Sequence, residues 1–121
     1  SNDMRTLEDN YDKNDKAKLA IDMFAYRVLK YVGAYTAALG GLDALIFTGG
    51  IGTNCPIVRK LVCDNLGYLG LYLDDAANEA AVGNKTRRIT TPESKVEAWA
   101  YLTNEELVIA VQTAEIVEAG E

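Results

Sequence analysis

The sequence predicts an α/β domain, and three features predict it. Apolar residues recur at three- and four-residue steps between residues 14 and 41. An unbroken apolar run, Ala44-Leu45-Ile46-Phe47, leads straight into the glycine-rich Thr48-Gly49-Gly50-Ile51-Gly52-Thr53-Asn54. A second helix-spaced set, Ile57, Leu61, Val62 and Leu66, comes directly after that turn. Helix, buried strand, turn and helix follow one another, as in α/β folds.

Each element has a local reason. Ser1 to Lys13 is polar and aperiodic and reads as an irregular lead-in. Asn14 or Asp15 can cap the long helix, whose apolar stripe is Ile21, Phe24, Ala25, Val28, Val32, Tyr35 and Leu39, and Gly40-Gly41 can end it. Gly33 interrupts this helix at a cost of about 1 kcal/mol relative to Ala, which points to a close-packed neighbour. Residues 44–47 suit a strand covered on both faces. Pro56 fits the first turn of the next helix, with Gly67 past its end. Leu69 to Leu73 reads as a strand weakened by Gly70, and Asp74 to Thr86 as a loop with room for a short helical turn. Arg88 to Thr91 and Val96 to Tyr101 read as strands separated by Thr91-Pro92-Glu93-Ser94. Thr103-Asn104-Glu105-Glu106 opens a last helix with the stripe Leu107, Ala110, Val111, Ala114 and Val117, Thr103 and Glu106 fitting a capping box. No strand pair precedes the first helix, so the expected sheet is incomplete and the sequence reads as part of something larger.

The totals narrow the function. A chain of 121 residues predicts one domain over 1–121, and 49% hydrophobic residues suffice to close its core. No apolar run approaches the roughly 20 residues of a membrane span. With 12 basic and 18 acidic residues the net charge is -6, against a general nucleic-acid or membrane surface but compatible with a small anionic ligand at a local site. Cys55 and Cys63 fit neither a zinc motif nor a disulfide scaffold and read as cytosolic thiols. The absence of histidine removes the commonest general base, leaving carboxylates, cations or metal for any catalysis.

The glycine turn carries the chemistry. Phosphates need backbone N–H groups at close range, and glycine removes the Cβ that obstructs them. A turn placed after a strand and before a helix aims the anion at the helix N-terminus, where unpaired N–H groups and the macrodipole favour it by about 0.3–1 kcal/mol. Gly49, Gly50 and Gly52 stand in that place, but match neither the Walker pattern nor Gly-x-Gly-x-x-Gly. On the turn alone, a phosphate cradle and a merely tight strand-to-helix connection both stand.

Asp43 to Arg59, read as Asp-Ala-Leu-Ile-Phe-Thr-Gly-Gly-Ile-Gly-Thr-Asn-Cys-Pro-Ile-Val-Arg, resembles the adenosine-binding signature of the acetate kinase family. Asn2-Asp3-Met4-Arg5 before it is similar to that family's Asp-Met/Phe-Arg nucleotide segment, and Thr103 to Ala110 after it resembles the family's near-C-terminal segment. The resemblance runs over essentially the whole chain. It implies part of an actin-like ATPase (ribonuclease H-like) domain, with a mixed sheet flanked by helices, forming the C-terminal nucleotide-binding lobe. The family moves a phosphoryl group between ATP and acetate with Mg²⁺.

By that resemblance Asp3, Met4 and Arg5 line the adenosine pocket, and Gly50, Ile51, Gly52, Thr53 and Asn54 approach the sugar and α-phosphate. Glu105 matches the magnesium-site glutamate, a role that suits Mg²⁺, which prefers oxygen ligands and keeps several waters. Each residue also has a plainer reading. Without the motif Arg5 reads more readily as a solvated terminal cation, and Glu105 also reads as a helix-start acid and Asn54 as an N-cap. Cys55 reads as an activated thiol at a helix start or as a small buried filler. Tyr26, Tyr31 and Tyr35 suit packing or a subunit contact better than base stacking. Thr53 stands where the family usually has Glu, and Cys55 where it usually has Ser. No catalytic residue is assigned here, since the family's catalytic histidine and arginine and its other phosphate loop have no counterpart. The implied partners are ATP or ADP, acetate held by an absent N-terminal part, and a second copy in a homodimer, all in the cytoplasm. A propionate or butyrate kinase of the same family, and a non-catalytic nucleotide-binding or dimerisation module, are the alternatives.

Overall fold

The computed structural model describes residues 2–49, 55–83, 86–101 and 108–111. Asn14 starts the longest element. Its side chain accepts from the N–H groups of Lys16 and Ala17, capping α2 (Asp15–Leu39), and Gly40 ends it by donating its N–H to Thr36 O. One face of α2 buries Ala17, Ile21, Ala25 and Val32, with Phe24 and Val28 partly covered. Tyr35, expected on that stripe, is 52% exposed instead, and Tyr26 and Tyr31 are 63% and 64% exposed, so none of the three serves as core packing. Gly33 also departs from expectation: a Cβ there would meet no atom within 4 Å, and α2 runs through it unbroken.

The expected irregular lead-in is in fact a helix, α1 (Asn2–Asp9), packed against α2. Packing supplies what the missing period does not, because Leu7 and Tyr11 lie against the core. The Tyr11 hydroxyl donates to Asp22 Oδ1 at 2.7 Å and secures the connection between the two helices.

After α2 the apolar run forms β1 (Ala44–Phe47), with Leu45 and Phe47 fully buried and Ala44 and Ile46 partly covered. Pro56 then opens α3 (Pro56–Cys63). This helix stops short of Gly67, because the chain tightens into a 3₁₀ turn over Gly67–Leu69. The strand expected over 69–73 is absent for a related reason. Gly70 takes φ +86° in the left-handed region, and any Cβ there would lie 2.9 Å from Lys95 Cβ. Only Leu73 pairs, in a single antiparallel bridge to Thr90. Asp74 caps α4 (Asp75–Ala80), the short helical turn for which the expected loop left room, accepting from Ala77 N–H at 3.0 Å.

β2 (Arg87–Arg88) and β3 (Glu97–Ala100) are shorter than expected, and the Thr91–Ser94 turn between them closes with Ser94 N–H on Thr91 O at 3.1 Å. The largest correction is at the end of the chain. Where a helix was expected, Val108–Val111 forms β4, antiparallel to β1 with Phe47 opposite Val108 and Ala44 opposite Val111. Three of its four residues are β-branched, and the free edge of β1 offers ladder hydrogen bonds that outweigh the three- and four-residue spacing. The remainder of that expected helix, with its capping box, lies outside the described residues.

The sheet order is β2-β3-β1-β4, with β1 parallel to β3 and the outer pairs antiparallel. β1 is therefore central, and the glycine turn leaves the middle of a mixed sheet. Two substitutions test the helix physics. In urea unfolding, Gly33→Ala should raise stability by up to about 1 kcal/mol, and Asn14→Ala should lower it by about 1 kcal/mol.

Candidate functional site

The site is built where β1 gives way to α3. Thr48 is 4% exposed and Gly49 is buried with φ +79°, a conformation that the missing Cβ allows. Gly50, Ile51, Gly52, Thr53 and Asn54 lie outside the described residues, as does Glu105. The chain is described again at Cys55, the N-cap of α3, which makes no side-chain cap hydrogen bond. An anion at this helix start would be met by backbone N–H groups rather than by a capping side chain.

Asp3, Met4 and Arg5 lie on α1, and the structure brings α1 to the same place. One turn further along, the Glu8 carboxyl comes within reach of the Cys55 thiol. Helix α1 thus approaches the start of α3, where described structure resumes after the glycine turn. Burial raises the Glu8 pKa, and the Cys55 thiol opposes that rise. Of the two readings of Cys55, the buried filler holds. It is 2% exposed, and burial pushes its thiol up to about 11; Cys63 goes to about 12. Neither is an activated nucleophile.

Sequence reasoning missed Arg59 and Asn78, both 0% exposed. Arg59 Nε donates to Asn78 Oδ1 at 2.7 Å, and Nη2 donates to the carbonyls of Asn78 and Ala81 at 2.7 and 2.8 Å. Asn78 Nδ2 donates in turn to Pro56 O at 2.9 Å. Desolvation lowers the Arg59 pKa, which only such a set of acceptors makes tolerable in a core. A signal existed in the sequence. Arg59 falls in step with Cys55, Val62, Cys63 and Leu66 at helical spacing, so it had to lie on the buried face of α3. Nothing comparable marked Asn78.

Among the described residues no group of three or more His, Cys, Asp or Glu is placed to hold a metal ion. No helix among them is long and apolar enough to cross a membrane. A groove of about 220 Å³ lies at the other end of α3, between Leu61 and Asn65, the Lys18, Asp22 and Tyr26 side of α2, and Tyr11 from the connection before it, away from the glycine turn.

A mixed sheet whose central strand runs through a glycine turn into a helix, with a second helix against that turn, fits the actin-like ATPase fold, and the solved structures agree. Acetate kinase from Porphyromonas gingivalis superposes with a TM-score of 0.75 at 44% identity, over 83% of this chain and 25% of that one. A propionate kinase from Francisella tularensis gives 0.70 at 38% identity, over 85% of this chain and 26% of that one. The acetokinase family pattern matches residues 1–111, and the chain belongs to that family. An acetate kinase from Pseudothermotoga lettingae is 48% identical over 121 residues, and one from Thermotoga maritima 47% over 119. These alignments take in 99% and 98% of this chain but 29% and 30% of the relatives, so the chain spans about 30% of their length.

The buried thiols give a pH signature. Their pKa values lie above the ordinary 9.0, so the stability they contribute is complete below about pH 9 and is lost as pH rises towards 11 and 12. Urea midpoints should therefore fall more steeply above pH 9 in the parent chain than in a Cys55→Ala/Cys63→Ala variant.

Proposed function

We propose that this chain is the C-terminal nucleotide-binding lobe of an acetate kinase and holds the adenosine side of ATP or ADP. The observation that carries the reading is the 48% identity to an acetate kinase along 99% of the chain, glycine turn included. The approach of α1, through Glu8, to Cys55 at the start of α3 supports it, because α1 is the helix that carries the Asp3-Met4-Arg5 segment.

In this reading Gly50, Ile51, Gly52, Thr53 and Asn54 present backbone N–H groups to the sugar and α-phosphate, and the α3 N-terminus faces the anion. Asp3, Met4 and Arg5 close the adenosine pocket. Bound Mg²⁺ supplies charge neutralisation on the phosphates, and Glu105 with waters would hold it, a role that rests on the resemblance of its segment. The lobe binds and orients the nucleotide. Acetate and the residues that move the phosphoryl group belong to a further, N-terminal part of the enzyme. A homodimer in the cytoplasm completes the reading, supported by the exposed Leu19, Met23, Tyr26, Tyr31 and Tyr35 along α2. The likeness to the Francisella propionate kinase supports a second reading, with propionate as acceptor, which acyl-acceptor competition in the whole enzyme would decide.

Calorimetric titration tests the lobe directly. ADP should bind this chain, Arg5→Ala should weaken that binding about tenfold, and phosphoryl transfer to acetate should be absent. Robust transfer by this chain alone would overturn the division of labour.

A further inference from the structure

The glycine turn leaves the sheet at Gly49 and rejoins described structure at Cys55, so its two ends are set by different devices. The β1 end is held by the sheet, where Tyr101 N–H donates to Phe47 O at 2.8 Å just before the turn. The α3 end is held by a fully buried polar latch. Pro56 and Arg59 lie one helical turn apart on α3, and both are bound by one side chain on α4. Asn78 Nδ2 donates to Pro56 O at 2.9 Å, and Asn78 Oδ1 accepts from Arg59 Nε at 2.7 Å. Arg59 Nη2 then grips the carbonyls of Asn78 and Ala81, at the end of that short helix. Asp74 Oδ1 caps the other end of α4 through Ala77 N–H.

We infer that Arg59 and Asn78 are positioning residues for the nucleotide, which they never touch: they fix the first turn of α3, and with it the helix end of the glycine turn, against α4. The inference rests on the nucleotide site proposed above. Backbone N–H groups can cradle a phosphate only when their spacing from the strand end is set in advance, and a displacement near 1 Å is enough to cost a large part of such binding. A latch that binds Pro56 O addresses the first residue of α3. A merely space-filling pair would have no reason to do so.

The latch can be opened without emptying the core. Asn78→Asp keeps the acceptor for Arg59 Nε and adds a carboxylate beside the guanidinium, but it removes the donor to Pro56 O and sets two oxygens against each other. Asn78→Ser, too short to reach both partners, is the second variant. Asn14→Ala, which weakens the distant α2 cap, is the control for stability loss alone. ADP affinity is measured by calorimetry well below each variant's melting temperature. Expected is about a tenfold or larger loss of affinity in Asn78→Asp and Asn78→Ser, with Asn14→Ala unchanged in affinity although less stable. ADP affinity within twofold of the parent in either folded Asn78 variant would overturn the inference while leaving the proposed function intact. No ADP binding by the parent chain would overturn the proposed function, and the positioning role with it.

Discussion

A guanidinium withdrawn from water carries a desolvation penalty of several kcal/mol unless its donors are met by well-aligned acceptors. Arg59 is in that position, with no exposed surface, and the surrounding backbone is arranged to receive it. The Ala81 carbonyl is available because α4 ends there, where helix carbonyls lack intrahelical partners, and the Asn78 carbonyl accepts from Arg59 beside the Ala81 N–H. Helices α3 and α4 thus become one unit by satisfying a single side chain. The surface ion pair of Lys60 with Asp75 joins the same two helices, yet it is solvent-exposed and contributes little beside it.

The sheet fixes the other side of the site. β1 lies between a parallel and an antiparallel neighbour, so its C-terminal end is restrained on both edges where the glycine turn begins. Helix α1 joins this arrangement through Glu8 and Cys55 at the start of α3. Sheet, latch and helix pair therefore converge on one short stretch of chain. Rigid supports around a loop of small residues are what backbone recognition of a phosphate demands, since a glycine loop contributes no packing of its own.

Much of this was legible in the sequence where local chemistry decides. Asn14 marked a helix start, Gly40 a helix end, residues 44–47 a buried strand and Pro56 a first turn, because caps and apolar runs act over a few residues. What escaped depends on partners distant in the chain. α1 has no period and is held by α2, while Val108–Val111 carries helical spacing but is drawn to the edge of β1. Gly70 broke an expected strand by ending the 3₁₀ turn in the left-handed region, packed too closely on the distant Lys95 to admit a Cβ. At the site, the glycine turn was plain from its composition, Arg59 was visible only as an oddity on a buried stripe, and Asn78 was invisible because its role exists only once α4 meets α3.

In the proposed function, the stretch from Gly49 to Cys55, joined by α1, is where this acetokinase-family chain meets a nucleotide. Amide chemical shifts recorded on the ¹⁵N-labelled chain during addition of Mg-ADP test that most directly. The largest shifts should fall on Gly49 to Cys55 and on α1, with the groove between Tyr11, Asp22 and Asn65 unmoved. Shifts concentrated in that groove or along the exposed face of α2, with the glycine turn silent, would contradict it.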